Sequence, residues 1–280
     1  MAKRRMMNGL DKYQGLVSYL RPLGRVIVAF SGGLDSTLLL KAAVDAGLKV
    51  LAVTGDSPSL PPWDRDSAVN IAKALKVRHL IVKTDEMDIS GYRENSPDRC
   101  FYCKDNLFKK LRTIAEKEGI ETILDGTNAD DLSDTRPGIR AAKKHGIKSP
   151  LAELGITKRD VREMLKDLGF DYRRPASACL ASRLPYWKEV SEEALEMIAK
   201  AETFLRELGF SDCRVRHFWP LAVVELPEEE LPKTMEQDLR ERIVKTLMEI
   251  GYPYVCLDLE GLKSGKMNRL LWIQGQGETS

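Results

Sequence analysis

The chain has 280 residues, of which 43% are hydrophobic and 31% are charged, and its formal net charge is +2. This length is enough for one large or two medium domains, and the composition is typical of an ordinary soluble globular protein. The near-neutral charge indicates no general polyanion-binding surface, so we expect no nucleic-acid partner.

The sequence also carries information about membrane spans, signal peptides and disulfide patterns. No stretch reaches the ~18 apolar residues of a membrane helix, and no apolar segment follows the basic residues Lys3–Arg5, so we expect neither a membrane span nor a signal peptide. Five cysteines in a chain of this length do not indicate a disulfide scaffold. We therefore expect a cytoplasmic protein with reduced thiols, in which clustered cysteines favour metal binding or catalysis.

The first part of the chain alternates between strands and helices. In chain order, the hydrophobic pattern predicts a helix over 8–22, a strand over 26–30, a helix over 36–46, a strand over 48–54, a helix over 65–75, a strand over 79–82, a helix over 101–118, a strand over 121–124, and helices over 137–145 and 157–168. This alternation predicts an α/β fold, a doubly wound parallel sheet with helices on both faces. Ligands bind such sheets at the carboxyl ends of the strands.

The pattern changes at about residue 184. A helix over 191–208, strands over 213–218 and 221–226, a helix over 234–249 and a strand over 254–259 follow one another. We therefore predict two domains, the doubly wound domain at 1–183 and a smaller α-β-β-α-β domain at 184–280. The second would serve substrate binding and oligomerisation.

The stretch Val26–Ser36, with the sequence VIVAFSGGLDS, predicts a phosphate-binding loop. A buried strand runs into a two-glycine turn and a helix follows at once, so the glycine backbone and the first helical N–H groups can closely approach an oxyanion. Ser31 and Ser36 add hydroxyls, and Asp35 is placed to hold a cation against phosphate oxygens. The turn contains neither a Walker lysine nor a G-x-G-x-x-G pattern.

Polar residues also follow the second and fourth predicted strands. After the second strand, Thr54 and Asp56 are placed to meet an adenosine, although capping of their own loop explains them equally well. The fourth strand ends in Asp125-Gly126-Thr127-Asn128, at the same edge of the sheet. In the acidic stretch that follows, Asp130 or Asp131 could assist a metal ion, and a solvated acidic loop is the competing interpretation.

The cysteines fall into two groups. Cys100 and Cys103 form a C-x-x-C at the start of a predicted helix, a pattern compatible with a redox pair, half of a zinc site, or two ligands of an iron–sulfur cluster. Cys179 lies in an irregular loop of small and basic residues and is the natural third cluster ligand. Cys213 and Cys256 lie in apolar strands, where we expect small buried hydrophobic side chains.

The sequence resembles known proteins both at the level of a superfamily and at the level of a family. S-G-G-x-D-S after a strand resembles the pyrophosphate loop of the PP-loop ATP pyrophosphatases. The chain is also similar to the LarE family over about residues 10–268. The stretches that carry this similarity are RCFYCK, LDGTNADD, SPLAELGITKRDVR, RPASACLASRLPY, the RVR at 214–216 and YVCLDLEGLKSGKMN.

The LarE resemblance implies a sulfur-inserting enzyme. ATP would adenylate a carboxylate of pyridinium-3,5-biscarboxylic acid mononucleotide, sulfur would displace AMP, and the thiocarboxylate would enter the nickel-pincer nucleotide cofactor of lactate racemase. In one branch the sulfur comes from a cysteine at the position of Cys179, which becomes dehydroalanine. That branch lacks the C-x-x-C. Resemblance to the three-cysteine branch implies a [4Fe-4S] cluster on Cys100, Cys103 and Cys179, an external sulfide donor, and a homo-oligomer.

The resemblance also implies roles for individual residues. Mg²⁺ and pyrophosphate would be held by Ser31, Gly32, Gly33, Asp35 and Ser36, with Asp130 as a further metal ligand. The cofactor-binding set would be completed by Thr54, Asp56, Asp125, Thr127, Asn128, Arg214 and Arg216. Arg214 and Arg216 would bind the substrate phosphate, with a surface salt-bridging pair as the alternative. Cys179, Asp35 and Arg183 would be catalytic, Arg183 by neutralising a substrate carboxylate or phosphate.

Three other functions compete. A PP-loop tRNA thiolase can also carry three cysteines on a cluster, but it usually needs a basic RNA surface or an added RNA-binding domain. An amidotransferase-type synthetase would need an ammonia source, and the sequence contains no glutaminase domain. A non-catalytic nucleotide-binding redox sensor is the candidate from outside the enzymes.

Overall fold

The computed structural model of this chain describes residues 9–132, 137–173 and 178–271. They form two compact units. The first unit comprises the described residues of Met1–Ser57, Pro62–Glu86 and Cys100–Ser177, and the second those of Pro58–Pro61, Met87–Arg99 and Ala178–Ser280. The division at 183 and 184, and the roles assigned to the two domains, stay predictions.

The helices and strands follow the predicted order. The helices are α1 (Gly9–Leu20), α2 (Leu34–Asp45), α3 (Pro62–Ala74), α4 (Ser90–Arg93), α5 (Arg99–Glu118), α6 (Ala129–Leu132), α7 (Pro137–Lys144), α8 (Pro150–Glu153), α9 (Lys158–Asp167), α10 (Glu192–Glu207) and α11 (Gln237–Ile250). The strands are β1 (Arg25–Ala29), β2 (Lys49–Asp56), β3 (Arg78–Lys83), β4 (Thr122–Leu124), β5 (Arg214–Phe218), β6 (Leu221–Glu225) and β7 (Tyr254–Leu257).

The first unit is built on a parallel sheet with the strand order β3-β2-β1-β4. Val26 is the register partner of Val50 on one side and of Thr122 on the other. Successive side chains of a strand point to opposite faces, so a continuous apolar strand serves two cores. Val26 and Val28 pack in one core with α1, α2, α3 and α9, whereas Ile27 packs in the other with α5 and α7. The predicted doubly wound α/β fold is confirmed.

The second unit contains a three-stranded sheet with the order β5-β6-β7. β5 and β6 are antiparallel, and β6 and β7 are parallel. Its core gathers Leu205 of α10, Val215, Val224, Leu247 of α11 and Tyr252, all buried. The predicted smaller α+β domain in the C-terminal part of the chain is thereby confirmed.

Short helices account for most differences from the predicted elements. The stretch 85–99, which the sequence predicts as a loop between the strand over 79–82 and the helix over 101–118, contains a 3₁₀ turn at Glu86–Asp88 and the single-turn helix α4. The short helix α8 was likewise not predicted. One helical turn offers too few residues for a 3.6-residue apolar period to appear in the sequence. The sequence Thr157-Lys158-Arg159-Asp160 predicts a capping box at the start of α9, and it is present: Thr157 and Asp160 each accept a hydrogen bond from the other's backbone N–H.

Two features touched by the sequence predictions lie outside the described residues. They are the basic residues Lys3–Arg5 and the RPAS part of the stretch before Cys179. Among the residues that are described, no helix is both long and apolar enough to cross a membrane.

Candidate functional site

The loop between β1 and α2 forms an anion cradle in the first unit. Gly32 has a φ of 72°, and a Cβ there would lie 2.8 Å from the backbone nitrogen of Ala68. Gly33 is extended and caps α2. Ser36 Oγ donates to the Gly33 carbonyl at 3.1 Å and lies 3.2 Å from Ser31 Oγ. The positive end of the twelve-residue helix α2 therefore starts inside a turn of small residues, where backbone N–H groups favour an anion.

Asp35 follows this turn and is already paired with a cation. Its Oδ2 accepts a hydrogen bond from Lys158 Nζ, and its Oδ1 lies 3.4 Å from Asn128 Nδ2. The backbone N–H of Lys158 donates to Asp130 Oδ2 at 2.8 Å. The structure therefore brings together the predicted residues Asp35, Asn128 and Asp130 around a lysine that the sequence analysis missed.

Lys158 could have been noticed in the sequence. It is the first residue of α9, where the helix dipole disfavours a cation. A basic residue in that position is unfavourable unless an acid or an anion lies nearby, and here the nearby acids are Asp35 and Asp130.

The residues after β4 form a second polar group at the same edge of the sheet. Asp125 is buried and accepts hydrogen bonds from the Thr127 hydroxyl at 2.7 Å and from Ser149 Oγ at 2.6 Å. Lys104 Nζ lies 3.7 Å from its Oδ2. A Cβ on Gly126 would lie 2.9 Å from the Ser36 nitrogen, so this loop runs directly against the start of α2. The ends of β1 and β4 thus meet, as parallel strands require.

Thr54 and Asp56 lie at the end of β2 with partners of their own. Thr54 is buried, and its Oγ1 donates to the Phe30 carbonyl at 2.5 Å. Because that bond uses its only proton, His79 Nε2 at 2.8 Å is the donor to Thr54. Burial lowers the pKa of His79, which keeps this ring neutral. Asp56 pairs with Arg65 at 3.5 Å. The predicted contact of Thr54 and Asp56 with an adenosine stays a prediction.

The cysteines are distributed over both units, and none is in a disulfide. Near the start of α5, Cys100 is exposed and Cys103 is half-buried, whereas Cys179 is half-buried in the second unit. Within residues 9–132, 137–173 and 178–271, no group of three His, Cys, Asp or Glu side chains is arranged to hold a metal ion. Cys213 is buried as expected, and burial raises the pKa of its thiol to about 12. The expectation of a buried Cys256 was wrong: it is exposed on β7, at the edge of its sheet.

Three arginines predicted to meet the substrate are buried in the second unit. Arg183 forms a two-bond pair with Glu202 at 2.7 and 2.8 Å, and the two side chains are 1% and 0% exposed. Burial opposes the charge of Arg183, but the carboxylate of Glu202 outweighs it and raises the pKa of the guanidinium. Arg214 pairs with Asp212 at 2.6 Å, and Arg216 with Glu225 at 2.7 Å. Of the alternative, a surface salt-bridging pair, the salt bridges are present, but the surface position is wrong because both arginines are buried.

Comparison with known proteins gives consistent results. Residues 25–100 match the family model of the queuosine biosynthesis protein QueC. The chain is 36% identical over 259 residues to the pyridinium-3,5-bisthiocarboxylic acid mononucleotide synthase of Lactiplantibacillus plantarum. The matched region covers 91% of this chain and 93% of that protein. It is 42% identical over 263 residues to an uncharacterised protein of Synechocystis sp., covering 93% and 98%. A probable tRNA sulfurtransferase of Methanobrevibacter smithii is 25% identical over 158 residues, covering 52% and 41%.

The parallel sheet, the glycine turn after β1 and these relatives define a class, the sulfur-transferring enzymes with the ATP-using PP-loop fold. Within that class, the chain belongs to the LarE family, because its similarity to the Lactiplantibacillus plantarum synthase extends over nearly the whole of both proteins. The resemblance to this family is therefore confirmed, and membership of the three-cysteine branch stays a prediction.

Proposed function

We propose that this enzyme adenylates a carboxylate of pyridinium-3,5-biscarboxylic acid mononucleotide with ATP and then inserts sulfur to form a thiocarboxylate, a step toward the nickel-pincer nucleotide cofactor. The observation that carries the proposal is the 36% identity to the Lactiplantibacillus plantarum synthase over 91% of the chain. The arrangement of Asp35, Lys158 and the glycine turn in the first unit supports the ATP-dependent half of the reaction.

In the first half-reaction, a carboxylate oxygen of the substrate attacks the α-phosphorus of ATP. The bond to the β-phosphate oxygen breaks, and pyrophosphate leaves. Ser31, Gly33 and the N-terminal amides of α2 would hold the pyrophosphate. Lys158 would move from Asp35 to the phosphate oxygens and neutralise their charge there.

A magnesium ion fits the residues beside this loop. The oxygens of Asp35 and Asp130 are the hard donors that Mg²⁺ prefers, and both carboxylates already contact Lys158. Bound there, Mg²⁺ would neutralise phosphate charge. Asn128 would orient Asp35, since its amide lies 3.4 Å from that carboxylate.

In the second half-reaction, a sulfur nucleophile attacks the acyl carbon of the adenylate, the bond to the AMP oxygen breaks, and AMP leaves. We place Cys179 at this step. As the finer part of the proposal, Cys100, Cys103 and Cys179 bind a [4Fe-4S] cluster, which would present a sulfide delivered by a separate donor. The spacing of Cys100 and Cys103 within one helical turn supports two of its ligands. The described residues do not form a complete group of three ligands for it.

The substrate phosphate would be bound by Arg214 and Arg216. Asp212 holds the guanidinium group of Arg214, and Glu225 holds that of Arg216. Contact of Arg183 with a substrate anion stays a prediction, and only 1% of its side chain is exposed. We further propose that the enzyme is cytoplasmic, where the exposed thiols of Cys100 and Cys256 stay reduced.

A homo-oligomer is the remaining part of the proposal. Exposed apolar residues on α11, Val244 and Met248, support a role for the second unit in assembly. Light scattering of the wild type and of Met248→Glu tests this, with a lower mass expected for the variant. A monomeric wild type would contradict the assignment.

The deciding experiment is anaerobic turnover of the purified enzyme with ATP, Mg²⁺, sulfide and the pyridinium biscarboxylate mononucleotide. We expect AMP and pyrophosphate to appear only when the carboxylate is present, together with thiocarboxylate detected by mass spectrometry. Cys179→Ser should still form the adenylate but release no thiocarboxylate. Substrate-independent AMP formation, or AMP without thiocarboxylate in the wild type, would contradict the proposal.

Three further measurements separate the alternatives. Iron and sulfide analysis after anaerobic reconstitution tests the cluster, and the mass of the Cys179 peptide after one turnover tests conversion to dehydroalanine. Iron-free protein with dehydroalanine at 179 would assign the sacrificial route. Retention of tRNA at low salt, combined with sulfur transfer to it, would favour the tRNA thiolase instead.

A further inference from the structure

The main chain around Cys179 is held by three buried arginines of the second unit. Arg183 Nη1 donates to the carbonyls of Ala178 at 2.7 Å and Cys179 at 3.1 Å. Arg99 Nη1 donates to the Ala181 carbonyl at 3.0 Å, and Arg216 Nη1 donates to the Ser182 carbonyl at 3.0 Å. Four carbonyls within five consecutive residues therefore accept charge-assisted hydrogen bonds.

The same segment is also held through its amides. The Leu180 N–H donates to the Ser59 carbonyl at 2.8 Å, and the Ser182 N–H donates to the Cys179 carbonyl at 2.9 Å. The side chain of Cys179 remains half-buried beside this fixed backbone. The segment runs into a 3₁₀ helix over Leu180–Arg183 in which Leu180 and Ala181 are buried, so packing and these hydrogen bonds together order it.

Each arginine is in turn oriented by a buried partner. Glu202 binds both Nε and Nη2 of Arg183, and its Oε1 also accepts from the Val215 N–H at 3.0 Å. Arg99 donates to the side-chain oxygen of the buried residue Asn95. A planar guanidinium held on one edge can present its other N–H groups in only one direction, which a lysine cannot reproduce.

We propose that Arg183, oriented by Glu202, and Arg99 are positioning residues that fix the main chain of Cys179, so that its sulfur is held in a single position for the sulfur-transfer step. This inference rests on the proposed function for its catalytic consequence, but the ordering of the Cys179 segment can be measured without turnover. The contacts also give Arg183 a role that its burial permits, in place of direct contact with substrate.

The test uses the full-length enzyme and the variants Arg99→Lys and Glu202→Gln, with Arg78→Lys as the matched control. Arg78 also makes a two-bond pair with a carboxylate, Glu118, but at the surface. Three quantities are measured: the rate of alkylation of each cysteine by iodoacetamide, the carboxylate-dependent ATP–pyrophosphate exchange, and kcat and KM for thiocarboxylate formation.

We expect Cys179 to be alkylated several-fold faster in Arg99→Lys and Glu202→Gln, because its segment is no longer held, while the exposed Cys256 reacts as in the wild type. The kcat for thiocarboxylate should fall about a hundredfold, the loss expected from a displacement of about 1 Å. Pyrophosphate exchange and KM for ATP should stay unchanged, and Arg78→Lys should match the wild type throughout.

Wild-type alkylation of Cys179 together with wild-type kcat in both variants would overturn the inference. If Glu202→Gln loosens the whole unit, seen as faster reaction of Cys213 as well, then Arg99→Lys decides, because it leaves no buried carboxylate unpaired. A wild-type enzyme that makes no thiocarboxylate would refute the proposed function alone, since the alkylation rates still test the positioning.

Discussion

The cradle loop allows one substitution whose effect can be worked out from the structure. Gly32 has a φ of 72°, and a Cβ there would meet the backbone of α3, 2.8 Å from the Ala68 nitrogen and 3.0 Å from its Cα. In Gly32→Ala, the left-handed conformation costs roughly 1–2 kcal/mol of folding free energy. The contact adds about 1–3 kcal/mol, because a helix backbone cannot swing aside as a side chain can.

Gly47→Ala is the matched control. Gly47 follows the other end of α2 with a φ of 77°, and a Cβ there would have nothing within 4 Å. It should therefore lose only the conformational part, roughly 1–2 kcal/mol.

Urea unfolding followed by circular dichroism, together with ATP–pyrophosphate exchange, measures both effects. Gly32→Ala should lose more stability than Gly47→Ala, and it alone should lose exchange, because the turn must shift away from α3. Equal stabilities for the two variants and wild-type exchange in Gly32→Ala would refute the reasoning.

Three further predictions use single contacts. Lys158→Met should abolish pyrophosphate exchange while the protein stays folded. The control Lys41→Met, which removes an ion pair with Asp45 on α2, should leave exchange intact. The opposite pattern would exclude Lys158 from the phosphate site. Thr157→Ala should cost about 1 kcal/mol of unfolding free energy in urea titrations, because the cap of α9 is lost; an unchanged midpoint would show that Asp160 caps the helix alone. Burial lowers the folded-state pKa of His79 below its unfolded value of 6.5, so the unfolded chain binds more protons than the folded chain below that pH. Thermal stability should therefore fall as the pH drops through 6.5. His79→Gln should lessen this fall, and a pH profile of stability identical to that of the wild type would contradict the prediction.

The sequence alone was sufficient for the first unit's architecture. Continuous apolar strands separated by periodic helices need cover on both faces of a sheet, so the parallel arrangement and the position of the glycine turn followed from the sequence, whereas the strand order β3-β2-β1-β4 did not. The capping box of α9 was equally local, because its two residues lie within one helical turn.

The partners of the charged side chains were decided only by the tertiary structure. Lys158 is 123 residues from Asp35, and Glu202 is 19 residues from Arg183, so no local spacing connects them. The arginines predicted to face the substrate lie buried against carboxylates, and two of them hold carbonyls of the Cys179 segment. A sequence specifies which groups must be neutralised on burial, but only the folded chain determines which opposite charge comes within reach.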